Sequence, residues 1–253
     1  VETWSYGLNA ADFTASNVSV GEEGTRFDMT GPDGDLPLFS PLIGKVNVFN
    51  ILAAAAGAFA RGCSFQQIAS GVAALDHVPG RFERVRGSQP FTVVVDYAHT
   101  DDALRNLTML GREYVQRGSK AGRVITVFGC GGDRDRKKRP LMAKAAASNS
   151  DWVVLTSDNP RSEDPLAIIA DSASGLAHSS VKQTVEPDRR SAIALAIRSA
   201  EPGDIVLIAG KGHEKVQVTK EGSLPFDDVE VAREAILEAG YELPLGTSEG
   251  GLR

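Results

Sequence analysis

Cysteine is scarce in this 253-residue chain, with only Cys63 and Cys130 present. Two isolated thiols cannot form a disulfide framework or a C-x-x-C zinc site, and they point to a reducing compartment. No apolar run approaches the roughly 18 residues of a membrane span; the longest candidate, 51–60, is Ala-rich and short. The N-terminus lacks a basic segment followed by an apolar one, so no secretory signal is expected and the expected address is the cytoplasm. Basic charge is also in deficit. Lys and Arg total 27 against 33 Asp and Glu, a formal charge of -6, which argues against a general nucleic-acid coat. An initiator Met is absent before Val1-Glu2-Thr3-Trp4, so the chain is expected to be processed or part of a longer one. Two glycine signatures are missing as well. Gly129-x-Gly131 begins like a dinucleotide fingerprint, but Arg134 stands where the third glycine belongs, and no G-x-x-x-x-G-K-[ST] phosphate loop occurs.

What is present is ordinary for a globular protein: 42% hydrophobic and 24% charged residues, enough for one large domain or two modest ones. Residues 13–20, 25–30 and 35–39 read as short strands separated by Gly21-Glu22-Glu23-Gly24 and Gly31-Pro32-Asp33-Gly34. Such a meander is too slight to stand alone. Ala-rich helical patterns follow over 47–60 and 64–75, with Ser64 and Gln67 spaced as a capping box. His77-Val78-Pro79-Gly80 breaks the pattern and marks a domain boundary. Beyond it, strands at 91–95, 124–128, 152–156, 181–185 and 205–209 alternate with helices at 101–117, 139–148, 165–178, 188–199 and 227–239. Continuous apolar strands alternating with amphipathic helices predict an α/β fold, a doubly wound and mostly parallel sheet covered on both faces. The Gly-rich C-terminal stretch, 241–253, is expected to be disordered.

Ligands of open α/β sheets bind beyond the carboxyl ends of the strands. Four strands here run into polar, glycine-punctuated segments: Asp96-Tyr97-Ala98-His99-Thr100, Gly129-Cys130-Gly131-Gly132-Asp133-Arg134-Asp135, Ser157-Asp158-Asn159-Pro160-Arg161 and Gly210-Lys211-Gly212-His213-Glu214. Arg134 and Arg161 each follow an Asp closely, so surface ion pairing is one reading. A carboxylate clamp is the other, because guanidinium meets carboxylate bidentately. Glu214 would then hold an ammonium, and the set suits a zwitterionic amino acid. His99 is read as a turn residue or as a functional one near Asp96. Cys130 carries no mark of a nucleophile, and no metal site is implied.

Taken in this order, these four segments closely resemble the Mur ligases, and within them the branch that adds diaminopimelate. Gly44-x-x-Asn47-x-x-Asn50 with Ala53-Ala54, and Pro79-Gly80-Arg81, are similar to that family too. The resemblance runs from about residue 42 to 237. It implies that 1–78 is the end of a central ATP-binding domain and 79–240 the C-terminal, amino-acid-binding domain, with the phosphate loop and the UDP-sugar site upstream of this chain. It further implies ATP-dependent amide formation with Mg2+, through an acyl phosphate, joining meso-diaminopimelate to a UDP-MurNAc-dipeptide. By the same resemblance Arg134, Asp158, Asn159, Pro160, Arg161, Gly210 and Glu214 meet diaminopimelate. Asn47, Asn50, Arg81, Asp96 and His99 fall where relatives meet ATP, Asp96 and His99 being the catalytic candidates. Asp101 departs from the family, which usually carries Pro there. The alternatives left open are a lysine- or glutamate-adding ligase and a non-catalytic amino-acid or nucleotide-binding module.

Overall fold

In the computed structural model, which describes residues 3–21, 23–117 and 122–244, the chain divides between Val78 and Pro79 into two units. The first unit contains β1 (Tyr6–Gly7), β2 (Phe13–Gly21), β3 (Gly24–Gly31) and β4 (Gly34–Ser40). Strands β2, β3 and β4 form the expected antiparallel meander, and β1 adds a short parallel edge to β2. The two-residue strand period turns Phe13 and Ala15, Phe27 and Met29, and Leu38 to one buried face. Helix α1 (Lys45–Ala60) covers that face with Val48, Ile51, Leu52 and Ala55, which recur at helical spacing, and α2 (Phe65–Ala74) adds Ile68. The α2 capping box forms: Gln67 N–H donates to Ser64 Oγ at 3.3 Å and Ser64 N–H to Gln67 Oε1 at 2.9 Å.

The second unit runs β5 (Glu83–Arg84), β6 (Thr92–Asp96), α3 (Asp101–Arg117), β7 (Val124–Phe128), α4 (Lys138–Ala147), β8 (Trp152–Leu155) and α5 (Pro165–Ala173). It continues through β9 (Lys182–Val185), α6 (Arg189–Arg198), β10 (Ile205–Ala209), β11 (Val216–Thr219), β12 (Gly222–Pro225) and α7 (Asp228–Glu238). The main sheet has the order β5-β6-β10-β7-β8-β9, parallel except for the antiparallel edge β5. Val206 and Ile208 of β10 face α6 and α7, whereas Leu207 faces Gly111 of α3 on the opposite side. Helices therefore cover both faces, as the apolar strands require. The last parallel strand, β10, is inserted between the first two. That reversal brings the carboxyl ends of β6, β10, β7 and β8 side by side, the arrangement in which α/β sheets bind ligands.

Two expectations need correction, and one element was not expected. The helix expected over 165–178 ends as α5 at Ala173, and a 3-10 turn, Ser174–Leu176, continues it where the chain packs on α4. The hairpin β11–β12 has no counterpart in the sequence reading. Of the tail expected to be disordered over 241–253, the first residues are docked: Tyr241 and Leu243 pack on the core, and Tyr241 meets Phe91 edge-on at 5.6 Å. Apolar side chains with a partner to bury against have no reason to stay loose, and residues 245–253 lie outside the described residues. No helix among the described residues is long and apolar enough to cross a membrane.

Candidate functional site

The glycine segment after β7 lies directly against the segment after β8. A Cβ on Gly132 would stand 1.9 Å from the Pro160 carbonyl oxygen, so only glycine permits the approach. Gly132 N–H donates to the Asn159 carbonyl at 2.9 Å across this contact. The glycines thus serve loop-to-loop packing. Asp133, at φ +54, reinforces it by accepting from Ser162 Oγ at 2.7 Å.

Arg161, also at positive φ (+52), lays its guanidinium on this loop: Nη1 donates to the Gly132 carbonyl at 2.8 Å and to the Asn159 carbonyl at 3.3 Å. Arg134 is exposed and donates from Nη1 to its neighbour's carbonyl, Asp133 O, at 3.1 Å. Both arginines border Gly131, with Arg161 Nη1 2.9 Å and Arg134 Cγ 3.7 Å from its ideal Cβ position. Among the described residues neither guanidinium pairs with a carboxylate. The ion-pair reading of the Asp-Arg sequences therefore fails in this geometry, since Asp133 is spent on Ser162.

On the far side of the same loop lies an acidic cluster. Asn159 is buried and donates from Nδ2 to Glu214 Oε2 at 2.8 Å. Lys211, with 0% exposure, donates from Nζ to Asn159 Oδ1 at 2.8 Å and to Glu214 Oε2 at 3.3 Å. Asp158 is buried beside Gly210, whose φ of +116 and lack of Cβ leave room for Asp158 Oδ2 at 2.6 Å from the ideal Cβ position. Burial raises the Asp158 carboxyl above the ordinary carboxylate range, partly countered by Arg189 and Lys211. Beneath it, Arg189 grips Asp228 through Nε at 2.8 Å and Nη2 at 2.7 Å, and donates to the Ala209 carbonyl at the tip of β10. The hairpin closes the cluster from outside: Gln217 Nε2 donates to Asp158 O at 2.7 Å, Val218 N–H to Asn159 Oδ1 at 2.9 Å, and Arg161 N–H to Val218 O at 3.0 Å. Pro160 is buried within this clamped turn.

A second group gathers after β6. Asp96 accepts from Phe82 N–H at 2.7 Å and Ala98 N–H at 2.8 Å, which ties the 80–82 loop to the sheet edge. Burial raises the Asp96 carboxyl, offset in part by those two amides and by Arg81. Tyr97 is the hub of a ring stack, 4.5 Å from His99, 5.0 Å from His213 and 5.1 Å from the Arg81 guanidinium carbon. His99 is exposed, with Nδ1 2.8 Å from the Tyr97 carbonyl oxygen. Thr100 caps the following helix through Oγ1, accepting Ala103 N–H at 3.2 Å, and Asp101 opens it, where an acidic residue suits the positive helix end.

In the first unit, Asn47 is buried; it donates from Nδ2 to Ile43 O at 2.9 Å and accepts from Asn50 Nδ2 at 3.2 Å, while Asn50 is exposed. Asn47 thus shapes the start of α1 and presents Asn50. Cys130 is buried against Met142 Sδ at 3.7 Å, and burial pushes its thiol up to about 11, the opposite of a nucleophile. Among the described residues no three His, Cys, Asp or Glu side chains converge as a metal site.

Sequence reasoning missed Lys211, Arg189, Asp228 and Gln217. Lys211 lay inside a quoted motif, and only its burial reveals a role. The other three come from segments distant in the chain, and nothing local marks them.

Comparison with known proteins decides the lineage. The Mur ligase glutamate ligase domain matches residues 80–212, more than half of the chain, and the Mur ligase middle domain matches residues 1–58. The chain belongs to the Mur ligase family. A UDP-N-acetylmuramoyl-L-alanyl-D-glutamate--2,6-diaminopimelate ligase of Solibacter usitatus is 55% identical over 237 residues, 93% of this chain and 47% of that protein. The protein of the same description from Geobacillus kaustophilus is 45% identical over 237 residues, again 93% and 47%. A solved structure with this description superposes with a TM-score of 0.66 at 40% identity, covering 94% of this chain and 48% of that one. A folylpolyglutamate synthase of Mycobacterium tuberculosis, solved with ADP and AMPPCP, shares the fold at a TM-score of 0.62 and 21% identity. The chain spans about half the length of the curated Mur ligases it matches.

Proposed function

We propose that this chain supplies the amino-acid-binding part of an ATP-dependent ligase that joins meso-diaminopimelate to UDP-MurNAc-L-Ala-D-Glu in peptidoglycan precursor synthesis, in the cytoplasm. The observation that supports the reading is the placement, about the loops after β7 and β8, of two guanidinium groups bonded to carbonyls and to no carboxylate among the described residues, Arg134 and Arg161, together with the carboxylates Asp158 and Glu214. Diaminopimelate bears two carboxylates and two amines. Arg161 takes the distal carboxylate, Arg134 the nearer one, and Glu214 an ammonium; Gly210 and the Asn159–Pro160 turn shape the space between. Lysine lacks the distal carboxylate and would leave Arg161 with its carbonyl partners only, forgoing a charge-assisted bidentate pair. That difference separates this reading from a lysine-adding ligase.

When bound, ATP supplies the phosphoryl group that activates the D-glutamyl carboxylate as an acyl phosphate. The amine nitrogen then bonds to the acyl carbon, the carbon–oxygen bond to phosphate breaks, and the ammonium proton is lost. The residues of this chain bind and orient. Arg81, Tyr97 and His99 offer a cationic and aromatic platform of the kind that receives a nucleotide, and Asp96 holds the Arg81 loop against it. Mg2+ accompanying ATP typically takes one or two carboxylates plus phosphates and water, so it needs no dedicated cage within these two units.

Amino-acid dependence of the full-length enzyme tests the reading. Diaminopimelate should support turnover and lysine should not. Arg161→Ala should raise KM for diaminopimelate at least about tenfold while KM for ATP stays near wild type. Equal use of lysine by the wild type, or wild-type kinetics in the variant, would refute the clamp.

A further inference from the structure

Lys211 is a fully buried charged side chain at the site that no substrate reading employs. It sits between Gly210 at φ +116 and Gly212 at φ +52, and these two turns aim its side chain inward, where it has 0% exposure. A buried ammonium pays a heavy desolvation cost and persists only where its hydrogen bonds and charges are answered. Here they are answered by Asn159 Oδ1 at 2.8 Å and Glu214 Oε2 at 3.3 Å.

Two consequences follow from the donor and acceptor inventory. Asn159 Oδ1 receives both Lys211 Nζ and Val218 N–H, at 2.8 and 2.9 Å, so the amide cannot rotate without setting its own N–H2 against two donors. Its Nδ2 is thereby held toward Glu214 Oε2 at 2.8 Å. Glu214 in turn has Oε2 occupied by both Asn159 and Lys211, while its side chain remains 31% exposed, leaving Oε1 for an incoming donor. The ion pairs agree: Arg189 and Asp228 answer each other, and Lys211 meets Glu214 only through Oε2.

We infer that Lys211 is a positioning residue for amino-acid capture: it locks the Asn159 amide and one oxygen of Glu214, so that the other Glu214 oxygen is presented to the ammonium of the incoming amino acid. The inference rests on the ligase reading above and adds to it a residue that does not touch substrate. Lys211 acts mainly through Asn159, at 2.8 Å against 3.3 Å to Glu214, so the two effects should be less than additive.

Steady-state kinetics of the full-length enzyme test it. Lys211→Met, which keeps the length of the side chain and removes its charge and donors, should raise KM for diaminopimelate by about tenfold to a hundredfold. KM for ATP should stay within about twofold of wild type. The double variant Lys211→Met/Asn159→Ala should lose clearly less for diaminopimelate than the product of the two single losses. A lowered Tm with an unchanged KM for diaminopimelate would make Lys211 merely structural and overturn the inference. So would a double variant whose losses multiply, or an equal rise of both KM values. Should Lys211→Met not fold, a structure of the wild-type enzyme with diaminopimelate decides. Lys211 Nζ still on Asn159, with Asn159 on Glu214, supports the role; Lys211 turned away or bonded to the amino acid refutes it. Failure of the ligase reading is distinct, because the wild type itself would then show no turnover dependent on diaminopimelate.

Discussion

At the scale of single residues, the candidate site holds charged groups with few opposite charges beside them. Among the described residues the Arg161 and Arg134 guanidiniums bond only to carbonyls, and Asp158 is buried beside a glycine. The price of that arrangement is visible in Asp158, whose carboxyl is raised by burial despite Arg189 and Lys211. A carboxyl titrating higher in the folded state than its ordinary 3.8 binds a proton on folding. Its contribution is complete below that ordinary value and is lost as pH climbs through the raised one. Asp158→Asn cannot titrate. Its stability relative to wild type should therefore increase with pH across that window, read as the difference in urea midpoints between about pH 4 and about pH 7. A constant difference would show that Asp158 keeps its ordinary titration. Much at this scale was legible in the sequence: Arg134, Asn159, Arg161 and Glu214 do converge on one loop. Lys211 was not, because a lysine between two glycines reads equally well as an exposed turn, and only its 0% exposure tells otherwise.

Among secondary-structure elements, the turn after β8 is held from both sides. The hairpin β11–β12 grips it through Gln217 and Val218, and the start of α4 grips it through Arg139. Arg139 is buried and donates to Glu163 at 2.6 Å and to Asp171 at 2.9 Å, which links α4 to the turn and to α5. The hairpin escaped sequence reasoning because its strands are four residues each and mostly exposed, too short for alternation to stand out. The Arg139 link escaped because its partners lie 24 and 32 residues away. Hydrogen bonds from Arg139 hold Glu163 and Asp171 below their ordinary values of 4.5 and 3.8, so both add stability above those values and lose it as pH falls. Arg139→Met should lower stability near neutral pH by about 1.5–3 kcal/mol, the range for hydrogen bonds to charged groups. It should also flatten the acid limb of the stability profile, measured by denaturant melts across acidic pH. A variant that keeps the wild-type acid limb would show that other carboxylates govern it.

For the whole molecule, the order of strands was the feature least legible in the sequence. Strand positions and the break at 77–80 follow from apolar runs and turn residues, but nothing local says that β10 enters between β6 and β7. Such placement is decided by which faces the helices must cover once all are formed, a non-local requirement. The two cores share no residue: one is built from the meander, α1 and α2, the other from the parallel sheet with α6 and α7. Each also holds one tryptophan. Trp4 meets Phe13 at 6.0 Å and Phe59 at 5.5 Å in the first unit, and Trp152 is buried in the second. Separate cores imply separable stabilities. Leu52 has 0% exposure at the centre of the first core, so Leu52→Ala should cost about 2–5 kcal/mol from lost burial and the cavity left behind. Single-tryptophan variants, Trp4→Phe and Trp152→Phe, let fluorescence melts follow each unit alone. Leu52→Ala should lower the midpoint reported by Trp4 and leave the one reported by Trp152 in place. An equal fall in both would mean that the two cores unfold as one cooperative unit despite their separate packing.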